Sequence, residues 1–205
     1  MEGDYRTALC EYSAFARLNG VQIQLSFHPL SIDAERGLLA DWLSSDRWFY
    51  HNNPQLSRKE VLEWVDQGEF TGTNCQTFWI IADPDQRVGL IRLFDLDDLD
   101  DGAPMFDLRI QSEYRRRGVG KQALQWLTGY LFETWSKLER IEGSTRVDNL
   151  AMRNVFLQCN YVKEGHFRKA WASVDGKRLD AVHYGILRED WINQIATPVN
   201  WNDEM

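Results

Sequence analysis

The stretch that most constrains this chain is Ile110-Gln111-Ser112-Glu113-Tyr114-Arg115-Arg116-Arg117-Gly118-Val119-Gly120-Lys121-Gln122-Ala123-Leu124. A strand ends, a basic loop with glycines comes next, and an amphipathic helix begins, its apolar stripe being Ala123, Leu127, Leu131 and Trp135. A helix N-terminus presents free N–H groups and the positive end of the peptide dipoles, so it favours anions. Gly118 and Gly120 lack a Cβ and let a ligand approach the backbone, and the neighbouring arginines add charge. Physically this is a pyrophosphate cradle. The competing reading is a strand-to-helix turn with glycines for packing and arginines in solvent.

Two other phosphate patterns fail. The Walker pattern needs a glycine where Arg115 stands and Ser or Thr after Lys121, where Gln122 stands. The dinucleotide fingerprint needs a third glycine at Ala123, and a parallel strand-helix-strand unit with a subsequent acidic residue is not evident.

Around the motif the chain alternates strands and helices. Val21–Phe27 alternates apolar and polar residues as a half-buried strand does. Leu38, Leu39, Trp42 and Leu43 recur at helical spacing within 31–45. Ser57 and Glu60 have capping-box spacing and open a second helix. Between these helices lies an aromatic and polar loop, Arg47-Trp48-Phe49-Tyr50-His51-Asn52-Asn53-Pro54. Strands are predicted at 76–83, 87–94, 104–111, 140–146, 161–172 and 178–187, and helices at 118–137 and 149–159. Asp175-Gly176 marks a hairpin. Residues 1–20 read as an N-terminal extension, partly helical, 21–191 as one domain, and 192–205 as a tail.

Composition narrows the function. Hydrophobic residues make up 43% of the 205-residue chain, which suits one packed domain. A net charge of -8 argues against a general nucleic-acid binder. That acidic balance makes the knot Arg115-Arg116-Arg117 stand out as a place for a small polyanion. Asp95, Asp97, Asp98, Asp100 and Asp101 form an acidic loop, either a solvated turn or an attractor for a cationic substrate. No apolar run reaches the ~20 residues that span a bilayer, and the N-terminus lacks a secretory pattern. Cys10, Cys75 and Cys159 are scattered, so neither a disulfide framework nor a metal site is expected. These features point to the cytoplasm.

The flanks of the motif give it a family. The pattern Q/R-x-x-G-x-G/A, met by Arg115, Gly118 and Gly120, resembles that of the GNAT superfamily of acetyl-coenzyme A-dependent N-acetyltransferases. Met105–Gln111 resembles the family's strand before the loop. Glu142–Val147 resembles its next strand, and the helix opening at Asn149 resembles its next helix, which runs on to a Gly-Phe-like pair, here Asn160-Tyr161. The runs Tyr161–Ala170 and Asp180–Trp191 resemble the branch containing the ribosomal-protein N-terminal acetyltransferases. The resemblance implies an α+β fold, GNAT-like, with a mixed, mostly antiparallel central sheet flanked by helices on both faces.

It also implies roles. Acetyl-CoA would lie along Ile110 and the loop residues Arg115, Arg116, Arg117, Gly118, Val119, Gly120 and Lys121. Asn149 would contact the cofactor arm, or serve as a helix N-cap, or both. The family's usual glutamate base falls near Met105, so the candidate base is Asp107, two residues on and on the same strand face. The alternative for Asp107 is a salt bridge to Arg109. The family's usual acid, a tyrosine, is replaced by Phe156; Cys159 nearby reads as a small buried hydrophobe. Of His183 and Tyr184, only one can face the cleft. The expected partner is a primary amine, with no nucleic acid and no membrane; a homodimer is left open. A protein N-terminus is the leading acceptor, with polyamines, amino sugars and antibiotic amines as alternatives. A CoA-binding module without catalysis also remains.

Overall fold

The computed structural model describes residues 14–18, 21–82, 85–97, 103–173 and 175–202, with side chains described from residue 24 onward. The capping box forms as expected: Ser57 Oγ accepts from Glu60 N–H and Glu60 Oε2 accepts from Ser57 N–H, opening α2 (Arg58–Asp66). α1 (Ile32–Ser44) precedes it and buries Leu39, Ala40, Trp42 and Leu43. α3 (Val119–Thr134) buries Ala123, Leu127 and Leu131, the stripe expected from the sequence. Arg188 caps the end of α3, donating to the carbonyls of Phe132, Trp135 and Leu138. α4 (Leu150–Gln158) and the short α5 (Arg188–Asn193) complete the helices among the described residues.

The strands form two sheets, and the pairings among the described residues are antiparallel. β1 (Ala14–Leu18), β2 (Val21–Pro29), β3 (Cys75–Ala82), β4 (Gln86–Phe94) and β5 (Met105–Ile110) lie in chain order in the first. The second runs β6 (Arg140–Arg146), β8 (Arg178–Leu187), β7 (Val162–Ala172). Helices cover both faces. Leu39, Trp42 and Val61 from α1 and α2 pack with Trp48, Trp79 and Leu90. On the other face, α3 and α4 pack with Phe78, Ile91, Leu93, Val182 and Tyr184. The α+β architecture with helices on both faces is therefore observed.

Two differences from expectation stand out. Ala14–Leu18, within the segment read as a partly helical extension, is a strand paired with β2. Five residues are too short to show a period, and the hairpin signal of Asn19-Gly20 is the better guide. The second difference shapes the site: the sheet is divided. Among the described residues no ladder joins β5 to β6, so the two sheets part between these edges. The interval is filled on the α3 side by Phe106 and Phe156, with rings 6.2 Å apart. A Cβ on Gly143 would stand 2.7 Å from Phe156 and 3.0 Å from Phe106, so a side chain there would collide. Asp83, Pro84, Asp98, Asp100 and Asp101 lie outside the described residues. Among those described, no helix is long and apolar enough to cross a membrane.

Candidate active site

A cleft of about 930 Å³ opens where the sheets part. Its walls are β5 residues 105–109 and β6 residues 143–145; one end is the start of α3, the other the loop 48–53 between α1 and α2. Side chains alternate along β5. Phe106, Leu108 and Ile110 pack into the α3 core, whereas Arg109 lies over the Trp48 ring on the opposite face with Asp107 beside it.

The α3 end is built for an anion. Gly118 is the N-cap at φ +85°, where a side chain is strained, and no side chain caps the helix. The first turn holds no acidic residue, so its N–H groups and dipole face the cleft uncompensated. Gly118, Gly120, Lys121 and Arg116 line the cleft here. A Cβ on Gly120 would meet only Val155, at an ordinary 3.6 Å, so its small size serves the cleft more than the packing. A pyrophosphate-bearing ligand such as acetyl-CoA fits this donor set.

The arginine knot divides its labour. Arg115 turns back: Nε donates to the Ile110 carbonyl at 2.8 Å, and Nη2 reaches the Arg47 carbonyl and Asp46. Arg117 lies over the Tyr114 ring at 5.8 Å. Arg116, exposed and at φ +60°, is the arginine of the three free to face a phosphate at the mouth. Val119 is buried in the α3 core, which leaves only its backbone for a ligand. Ile110 likewise contributes a side chain to the core and its carbonyl to Arg115. Asn149 is the N-cap of α4: Oδ1 accepts from Met152 N–H, Nδ2 donates to Thr145, and the residue lines the cleft.

The opposite end is assembled by long-range contacts. Asp46 accepts from Ser112 N–H and Arg115, tying the end of α1 to the loop after β5. Trp48 anchors its loop, Nε1 donating to the Leu43 carbonyl and the backbone N–H to the Pro54 carbonyl. This places His51 Nε2 2.8 Å from Asp107 Oδ1, while Asp107 Oδ2 accepts from Arg109 Nε and Nη2 at 2.9 and 2.8 Å. Burial pushes the Asp107 carboxyl up, but the Arg109 charge and the hydrogen bonds from Arg109 and His51 outweigh it and hold the group well below the usual carboxylate range. The salt bridge to Arg109 is thus formed, and Asp107 faces the cleft as well.

Across the cleft, Ser144 lines β6 and its hydroxyl meets His183 Nδ1 at 2.8 Å, with Glu142 3.3 Å from His183 Nε2. Arg146 reaches over to the Phe49 carbonyl and the Tyr50 ring. Trp171, beyond a bulge in β7, closes the lining from the second sheet. Tyr184 points the other way and stacks on Phe156 at 4.8 Å. Burial pushes the Cys159 thiol up to about 11, so it is a packed hydrophobe and no thiolate. Among the described residues, no group of His, Cys, Asp and Glu could hold a metal.

His51 is the cleft residue that sequence reasoning passed over. The signal available was the polar His-Asn-Asn run inside an aromatic loop, but nothing local linked it to Asp107. Ser144 was also missed.

Residues 24–162 match the family model of the acetyltransferase (GNAT) domain. No curated protein sequence matches the chain. Among solved structures, a chimera of spermidine N-acetyltransferase SpeG from Vibrio cholerae and hSSAT is 20% identical at a TM-score of 0.69, over 82% of this chain and 98% of that one. SpeG from the same organism in complex with CoA and spermine is 20% identical at 0.67, covering 82% and 98%. Its dodecameric form is 20% identical at 0.66, covering 83% and 97%. These comparisons carry the superfamily and its fold, but not the ribosomal-protein branch that the last strands resemble. The chain belongs to the GNAT acetyltransferase family and is an acetyl-CoA-dependent N-acetyltransferase.

Proposed function

We propose that this enzyme passes the acetyl group of acetyl-CoA directly to a primary amine inside the cleft between β5 and β6, without an acetylated enzyme. One observation carries the reading. A single cleft joins an uncapped, cationic helix start at one end to the His51-Asp107-Arg109 cluster at the other. The phosphates would sit on the α3 N-terminus with Arg116 and Lys121, and the arm would lie along β5. The amine would enter from the loop 48–53 side.

For the acceptor, the cleft chemistry favours a peptide N-terminus. The carboxylates among the described lining residues, Asp107 and Glu69, are both engaged by arginines, Arg109 and Arg92. By contrast, Arg92 Nε, Arg109 Nη1 and Trp171 Nε1 are buried donors without partners among the described residues. Buried donors want acceptors. A peptide brings carbonyl oxygens next to its amine; a polyamine brings more positive charge. A polyamine acceptor is the second reading, favoured by the likeness to spermidine acetyltransferases, one of them in complex with spermine.

An acceptor panel of short peptides, spermidine, spermine and amino sugars, monitored by CoA thiol release and product mass, tests both. Preferential acetylation of peptide α-amines supports the first reading. Preference for spermidine or spermine replaces it with the second. Acetyl-CoA binding with no acceptor turned over refutes both and leaves a binding module.

A further inference from the structure

We propose that His51 is the general base of the reaction and that Asp107 is its positioning residue; the inference rests on the acetyl-transfer reading above and deepens it. The family motif points to the Met105–Asp107 strand face for a base. The geometry moves that role one residue outward, to the imidazole that Asp107 holds.

Both oxygens of Asp107 are committed. Oδ1 accepts from His51 Nε2 at 2.8 Å, and Oδ2 accepts twice from Arg109. A carboxylate bound to an arginine in this way is a weak proton acceptor, because protonating it would break the pair. His51 has the complementary properties. The bond to Asp107 assigns the proton to Nε2, and a neutral imidazole then carries its lone pair on Nδ1. Among the described residues Nδ1 has no hydrogen-bond partner and is buried, although His51 lines the cleft. An unpartnered ring nitrogen on a cleft-lining residue, its ring held by a third group, is the arrangement of a base.

The loop has no freedom to wander. Trp48 is 2% exposed, sits edge-on to the His51 ring, and accepts through its carbonyl from the His51 N–H. The charged groups meeting this loop are Asp107 and Arg109 from β5, Arg115 after it, Arg146 from β6, Asp46 just after α1 and Glu60 from α2. The Asp107 carboxylate, hydrogen-bonded to the ring, faces the positive charge once the proton is taken.

The step balances without another reactant. The substrate ammonium gives one proton to His51 Nδ1, which passes it to solvent. The nitrogen lone pair attacks the thioester carbonyl, the C–N bond forms, and the C–S bond breaks as CoA leaves with the electron pair. A second proton goes from nitrogen to the leaving thiolate, and the third stays on the amide.

The test is steady-state kinetics with acetyl-CoA and the best acceptor from the panel, across pH, on wild type, His51→Gln, His51→Ala and Asp107→Asn. His51→Gln should lower kcat by about a hundredfold with calorimetric acetyl-CoA affinity unchanged. The wild-type kcat profile should carry an acidic limb that His51→Gln lacks. Added imidazole should restore part of the His51→Ala rate, which a purely structural role would not allow. Asp107→Asn should lower kcat less and keep the limb. A His51→Gln enzyme with wild-type kcat and profile overturns the inference alone. Wild type that binds acetyl-CoA yet acetylates no amine overturns the enzymatic reading and the inference with it.

Discussion

Replacing Asp107 with asparagine should cost stability as well as activity, and the two costs have separate signatures. The carboxylate takes three hydrogen bonds, one from His51 at 2.8 Å and two from Arg109 at 2.9 and 2.8 Å, with side chains only 19% and 10% exposed for Asp107 and Arg109. An amide keeps the shape but loses the charge, and its NH₂ must face a donor from one of the two partners. Removing one member of a buried pair costs about 3–5 kcal/mol. The residual exposure and the retained amide oxygen put this variant near the lower end, about 3 kcal/mol. In a domain of this size that is roughly a 6–12 °C drop in Tm. The pH dependence has a fixed sign. The folded carboxyl lies well below its usual range, so its contribution is full above the unfolded pKa of about 3.9 and is lost as pH falls below that value. Urea unfolding of both proteins from pH 7 down to about pH 3, below the unfolded carboxyl value, is the assay. A difference under about 1 kcal/mol at pH 7, against the 3 expected for a buried pair, or one that grows on acidification, would refute the reasoning.

Three further outcomes concern the other end of the cleft and the parting of the sheets. Gly120→Glu places a carboxylate among the donors of the α3 start and should abolish acetyl-CoA binding in calorimetry while the fold survives, as circular dichroism would show. Arg116→Ala and Lys121→Ala should each weaken acetyl-CoA binding, by about 1.5 kcal/mol or roughly tenfold, and flatten its salt dependence. Arg117→Ala, whose guanidinium lies over Tyr114, should do little to either. Gly143→Ala forces a Cβ to within 2.7 Å of Phe156 and should lower stability by about 1–3 kcal/mol in urea.

Much of the scaffold was legible because local chemistry writes it. Ser57 and Glu60 announce α2 through a bond across three residues, and the stripe from Ala123 to Leu131 announces α3 through its period. The uncapped start of α3 was legible for the same reason, being a strand end, a glycine-containing loop and a helix start in one continuous stretch. The amine side was not. His51 and Asp107 are 56 positions apart, and the tie from Asp46 to Arg115 spans 69. Neither pair has a spacing that sequence periodicity can reveal. Arg115 shows the limit well: its charge suggests phosphate, but its geometry serves Asp46, Arg47 and Ile110. The parting of β5 from β6 was equally hidden, since no local pattern tells which strand edges stay unpaired.

Direct transfer requires acetyl-CoA and the amine to be held together in one cleft. Initial-velocity kinetics with acetyl-CoA and a panel-selected amine varied against each other, with mass analysis of the enzyme after acetyl-CoA alone, test it most directly. Direct transfer gives intersecting double-reciprocal lines and unmodified protein. Parallel lines with an acetylated enzyme would contradict it.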